Sequence, residues 1–186
     1  MIDLSEKLRR AGVHEYGIIA PGEVEFSEEV RKYCVDNRCR QYGKTWACPP
    51  ALGTLDECRE RALAYDTMLV FSGKFDLRLK NYREDVGAAM RSFKEIAQRV
   101  NAELRQELDD YLVLSNEGCG KCESCTYPDE PCRFPDTVHG SIEGYGIWVT
   151  KLAKQAGMKY DNGEGTVTFF GAALFNLSDV KPAADG

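Results

Sequence analysis

Residues 111–135 read YLVLSNEGCGKCESCTYPDEPCRFP, and this stretch sets the architecture expected of the whole chain. Tyr111–Ser115 is a short apolar run of strand character, and it leads directly into a loop carrying Cys119, Cys122, Cys125 and Cys132. A loop hung from the end of a strand is a common place for chemistry. Two successive two-residue gaps put three thiols on one short turn, so their sulfurs can converge on one face. A cubane iron–sulfur centre uses such a tripod and one further ligand, whereas structural zinc more often takes two separate knuckles. Gly118 and Gly120 let the backbone approach closely and turn its N–H groups toward sulfur.

A second cysteine group lies upstream, with Cys34, Cys39 and Cys48 in a polar, helix-breaking segment that ends in Cys48-Pro49-Pro50. Proline after a ligand cysteine holds the chain extended. Cys58 falls in the second turn of a helix opened by the capping box Thr54 to Glu57. Its readings as a small helix-face hydrophobe and as an eighth ligand both stand.

Outward from these groups, periodicity predicts a helix over residues 3–11, a strand Tyr16–Ala20 and a helix Phe26–Tyr33 with Ser27 as N-cap. A helix over Leu55–Tyr65 and an inner strand Thr67–Ser72 follow. The longest helix spans Tyr82–Asp109, with Val86, Ala89, Met90, Phe93, Ile96, Ala97, Val100 and Leu104 on one stripe. Ser141–Ala156 reads as a helix despite Gly144 and Gly146, and Thr166–Phe170 as a strand that Gly171–Phe175 could extend. The expected fold is α/β or α+β: a central sheet of about four strands, covering helices, and the cysteine loops at one edge. Helices between successive strands make some parallel pairing an expectation. Residues 1–177 form one expected domain with inserted cysteine loops at 34–50 and 117–135, and residues 178–186 a flexible tail.

Composition narrows the functional classes. The chain has 186 residues, 43% hydrophobic and 29% charged, with a net charge of −6. That is ordinary for a globular protein and argues against a general binder of nucleic acid or anionic membrane. There is no signal peptide pattern, and no apolar run approaches the ~18 residues that span a bilayer. The expected compartment is the cytoplasm, where disulfides are rare and eight cysteines need another use.

Larger motifs then suggest a family. The segments Cys39-Arg40-Gln41-Tyr42-Gly43, Trp46-Ala47-Cys48-Pro49-Pro50 and Gly118 through Cys125 carry the resemblance, with Pro131 through Pro135, Ser141-Ile142-Glu143 and Gly146 through Val149. On these the chain resembles a bacterial and archaeal family described as predicted metal-binding proteins, a domain of unknown function. The resemblance runs from about Arg31 to Phe175 and implies a metal site carried by these cysteines. It implies no particular substrate.

The cysteines sort in more than one way. Cys119, Cys122, Cys125 and Cys132 hold one [4Fe-4S] cluster and Cys34, Cys39, Cys48 and Cys58 a second; or Cys48 and Cys132 exchange places, as in two-cluster ferredoxins; or one cluster forms alone. His14 and His139 are the only imidazoles. Lys44, Lys121, Arg40 and Arg133 flank the thiols, and Tyr42, Trp46, Tyr127 and Phe134 stand ready to exclude water. Three functions fit: electron transfer to a redox partner protein through one or two [4Fe-4S] clusters, a cluster-dependent enzyme with an open iron site acting on a small molecule, or a zinc-stabilised interaction module. No dinucleotide or P-loop fingerprint, G-x-S-x-G, H-E-x-x-H or radical C-x3-C-x2-C motif is present.

Overall fold

The computed structural model describes residues 4–78 and 81–180. In chain order the elements are α1 (Leu4–Ala11), β1 (Tyr16–Ile19), α2 (Glu28–Val35), α3 (Leu55–Leu63), β2 (Thr67–Asp76), α4 (Tyr82–Glu107), β3 (Leu112–Ser115), β4 (Gly140–Ser141), α5 (Val149–Gln155) and β5 (Thr166–Phe175). The fold is α+β. Both caps read from sequence are made: Glu29 N–H donates to Ser27 Oγ across 3.2 Å, and Thr54 and Glu57 cap each other reciprocally.

The sheet order is β1-β2-β5-β3-β4. Among the described residues the four expected strands pair only antiparallel, and the single parallel pair joins β3 to the two-residue β4. β2 and β3 do run the same way, as the helix between them requires. The C-terminal β5 inserts between them and pairs antiparallel with both.

Strand alternation divides the core into two layers. Leu69, Phe71, Val113, Ala173 and Phe175 face α1 and α4, meeting Leu8, Phe93, Ile96, Ala97, Val100 and Leu104. Met68, Val70, Leu114, Ala172 and Leu174 face the other way, onto α3, α5 and residues 142–147. Each fully buried large side chain is worth about 1.5–3 kcal/mol, so these two layers anchor the sheet from whose edge the cysteine loops extend.

The expected helix over Ser141–Ala156 is a correction. Its apolar stripe is buried at Ile142, Tyr145 and Leu152, but the chain there makes β4, a 3-10 turn at Glu143–Tyr145, a left-handed Gly146 (φ 76°) and then α5. A Cβ on Gly146 would lie 2.3 Å from Leu55 Cδ1, so the backbone must pass there bare. Of the expected tail, residues 181–186 lie outside the described residues, and Leu177–Asp179 make one 3-10 turn.

Candidate metal centre

β3 ends at Ser115, and the chain is caught at once by a lysine of α4. Lys94 Nζ donates to Asn116 Oδ1 at 3.0 Å and to the Glu117 and Gly118 carbonyls at 2.7 Å each. Gathering the carbonyls on one ammonium turns the following amides away from it. Gly118 (φ 70°) and Gly120 (φ 74°) take left-handed conformations around Cys119. Beyond them Cys119, Cys122, Cys125 and Cys132 all line one cleft of about 460 Å³. Trp46, Tyr127 and Phe134 form its aromatic walls, Trp46 and Tyr127 meeting edge to face at 4.9 Å. Trp46 Nε1–H ties the two loops together by donating to the Glu130 carbonyl at 3.2 Å. Lys44 and Lys121 also line the cleft. Phe134 N–H donates to Cys132 Sγ at 3.4 Å.

The upstream group lines a different cavity, of about 370 Å³. Cys34 sits on the last turn of α2, Cys39 is exposed in the turn that follows, and Cys48 is buried before Pro49. The Cys48 sulfur lies 3.8 Å from Ser141 Oγ and accepts from Gly118 N–H at 3.2 Å. Tyr42 lines this cavity, as do Arg38, Glu117 and Glu143.

Cys58 stands apart from both sets. It is fully buried in the layer under α3, its thiol donates to the Leu52 carbonyl at 3.3 Å, and Arg61 donates to its sulfur at 3.2 Å. His14 is exposed before β1, whereas His139 is 8% exposed and shares a small cavity with Lys94 and Cys119.

Burial sets the protonation chemistry. It pushes Cys34 up to about 11, helped by the Glu143 carboxylate and Cys48. Burial also raises Cys48 and Cys119, against the lowering effect of the Gly118 and Lys121 amides respectively and, for Cys119, of the Lys94 charge. Burial and then Glu117 lift Glu143 to about 7. Bound metal would have to displace protons from these thiols.

Among the described residues no three cysteine, histidine or carboxylate side chains already stand at metal-ligand separations. The donor chemistry nevertheless fits a thiophilic metal: four sulfurs on one cleft, with an N–H donor at sulfur and ammonium groups nearby. The family model for predicted metal-binding proteins (DUF2284) matches residues 17–175. The chain belongs to this family. The matched region runs from β1 through the end of β5 and takes in both cysteine loops. No curated protein and no solved structure matches.

Lys94, Glu117 and Glu143 escaped the reading of the cysteine pattern. Lys94 left one signal in the sequence, a charge between Met90 and Ala97 on the apolar stripe of the long helix. Glu143 stood in the Ser141-Ile142-Glu143 segment and Glu117 at the head of the cysteine loop, but nothing local marked either as lining a cavity, because Glu143 reaches it only through the break at Gly144–Gly146.

Proposed function

We propose that Cys119, Cys122, Cys125 and Cys132 hold a [4Fe-4S] cluster and that the protein passes single electrons to and from a partner protein. The observation that carries this reading is the lining of one cleft by all four cysteines of a single loop. When bound, such a cluster supplies one-electron redox chemistry at a potential set by its surroundings. The residues of this chain would do the tuning. Lys94 and Lys121 offset the negative charge of thiolates and cluster, and Trp46, Tyr127 and Phe134 restrict water. The acidic balance of the chain, −6, favours docking to a basic partner face. The same reading places the protein in the cytoplasm, with its cysteine loops inserted in a single domain.

A second reading is favoured by the other cavity, where Cys34, Cys39 and Cys48 supply three thiols and Cys58 lies elsewhere in the core. Three protein ligands leave an iron position open to a small molecule, the arrangement of a cluster-dependent enzyme. A zinc-stabilised interaction module remains the third reading.

Anaerobic purification with iron, zinc and acid-labile sulfide analysis tests these. About four iron and four sulfide per chain is expected for one cubane, and about eight of each for two. Zinc without sulfide, in a colourless sample, would overturn the iron–sulfur proposal.

A further inference from the structure

The cavity beside Cys34, Cys39 and Cys48 has a second half that the thiols do not account for. Its other walls are Val30, Tyr33, Ile147, Trp148, Val149 and Tyr160. Its volume of about 370 Å³ is within the range of small-molecule sites, as is a mainly apolar lining with a few polar groups. Tyr33 and Trp148 meet edge to face, their ring centres 5.8 Å apart. Between such walls stands Glu143, whose Oε2 is fully buried and has no hydrogen-bond partner. A buried carboxyl oxygen without a partner is costly, by more than an ordinary hydrogen bond returns. Something in the functional state is expected to satisfy it.

Charge decides what. Glu117 lines the same cavity and adds a second carboxylate. The basic groups nearby are committed or peripheral. Arg31 directs its donors to the Gly53 and Gly144 carbonyls and Lys94 to the loop carbonyls, so neither bonds Glu143 Oε2, although the Lys94 charge still acts on Glu143; Lys151 is paired with Glu25 and stands over the Trp148 ring at 5.9 Å. Arg38, the one basic residue in the lining among the described residues, is exposed to solvent. Aromatic faces and carboxylates together recognise cations, and an apolar wall selects those with an organic body.

We infer that this cavity binds a small organic cation, an alkyl- or arylammonium compound, with its nitrogen at Glu143 and its apolar part against Tyr33 and Trp148. This goes beyond the electron-transfer reading and does not depend on which metal the cysteines hold.

Isothermal titration calorimetry of the full chain, purified anaerobically, tests it with benzylammonium chloride, benzyl alcohol and sodium benzoate. Benzylammonium should bind about tenfold or more tightly than the alcohol, and benzoate more weakly still. Glu143→Gln, nearly isosteric, should cost about tenfold in benzylammonium affinity and leave the alcohol unaffected. Should that variant not fold, Glu117→Gln carries the same test, weakening the cation selectively. Equal affinity for amine and alcohol, tighter binding of benzoate, or no heat from any probe would overturn the inference. Loss of metal from Glu143→Gln without any benzylammonium binding to the parent would also overturn it, by making Glu143 a metal ligand. Metal content is read separately, so a zinc-loaded chain that binds benzylammonium would sink the cluster proposal and leave this one standing.

Discussion

The backbone amide of Gly118 donates a hydrogen bond to the Cys48 sulfur across 3.2 Å, joining two cysteine loops that are 70 residues apart in sequence. Gly118 can do so because its φ of 70° turns the amide inward while its carbonyl faces Lys94. Cys48 is thus held by the first loop through its backbone and by the second through its sulfur.

Replacing Gly118 by alanine should loosen both loops. An L residue at this φ costs about 1–2 kcal/mol, and the new Cβ would come within 2.9 Å of Gln41 Oε1. Gly118→Ala is therefore expected to lower the stability of the metal-free chain by about 1–2 kcal/mol in urea denaturation. Metal content per chain, measured by elemental analysis, should fall as well. Unchanged stability and full metal loading would show that the Gly118 conformation is dispensable.

Cys58 and Cys132 make a matched pair of tests. Cys58 is packed in the core, so Cys58→Ala should leave metal content intact and cost about 1 kcal/mol through the small void it opens. Cys132→Ala removes a half-buried thiol from the lining of the cleft and should reverse the pattern: metal falls and the metal-free stability moves less than for Cys58→Ala. Elemental analysis beside urea melts of both variants checks this, and metal loss from Cys58→Ala would return Cys58 to the ligand set.

What the sequence made legible follows physical range. Caps at Ser27 and Thr54, the stripe of the long helix and the apolar runs of β2 and β3 are local signals, and each element formed where its signal stood. The strands were harder to bound. β2 runs through Gly73 to Asp76 because Gly73 makes room for Phe93, whose ring carbon would sit 2.8 Å from a Cβ there. Gly171 does the same for Phe71 inside β5, which spans Thr166–Phe175. A glycine that ends a strand and one that admits an aromatic look alike until the partner strand is known. Sheet order and the insertion of β5 depend on pairing between distant segments, and no local pattern carries that. At the site, the cysteine spacing is local and was visible. Its separation into two cavities, and the placing of Glu143 in one of them, needed the folded backbone.

Lys94 should prove structural for the second loop. Lys94→Met keeps the length and apolar stem but removes every donor, leaving the Glu117 and Gly118 carbonyls without their ammonium. Buried acceptors left unpaired cost about 1–3 kcal/mol. The expected result is a loss of that order in urea denaturation, with faster hydrogen exchange confined to residues 116–120. Uniform acceleration across the sheet would point instead to a general packing defect.

His139 should make the protein sensitive to mild acid. Burial, with Lys121 and Lys94 nearby, lowers its proton affinity from the ordinary 6.5 to about 4, and its Nε2 has no hydrogen-bond partner. Between these values the unfolded chain binds a proton at this residue and the folded chain does not, so unfolding takes up protons. The stability tied to neutral His139 is therefore complete above about pH 6.5 and drains away as pH falls toward 4. From about pH 7.5 to about pH 5 the loss should amount to roughly 2 kcal/mol. Urea melts of the metal-free chain across this interval measure it, and carboxylates that titrate there contribute equally to a His139→Gln variant. The difference between the two proteins isolates the imidazole: the variant should lose about 2 kcal/mol less than the parent over the same interval. Parallel pH profiles would mean that His139 takes up its proton over the same interval in the folded and unfolded chains, so that burial does not hold it neutral.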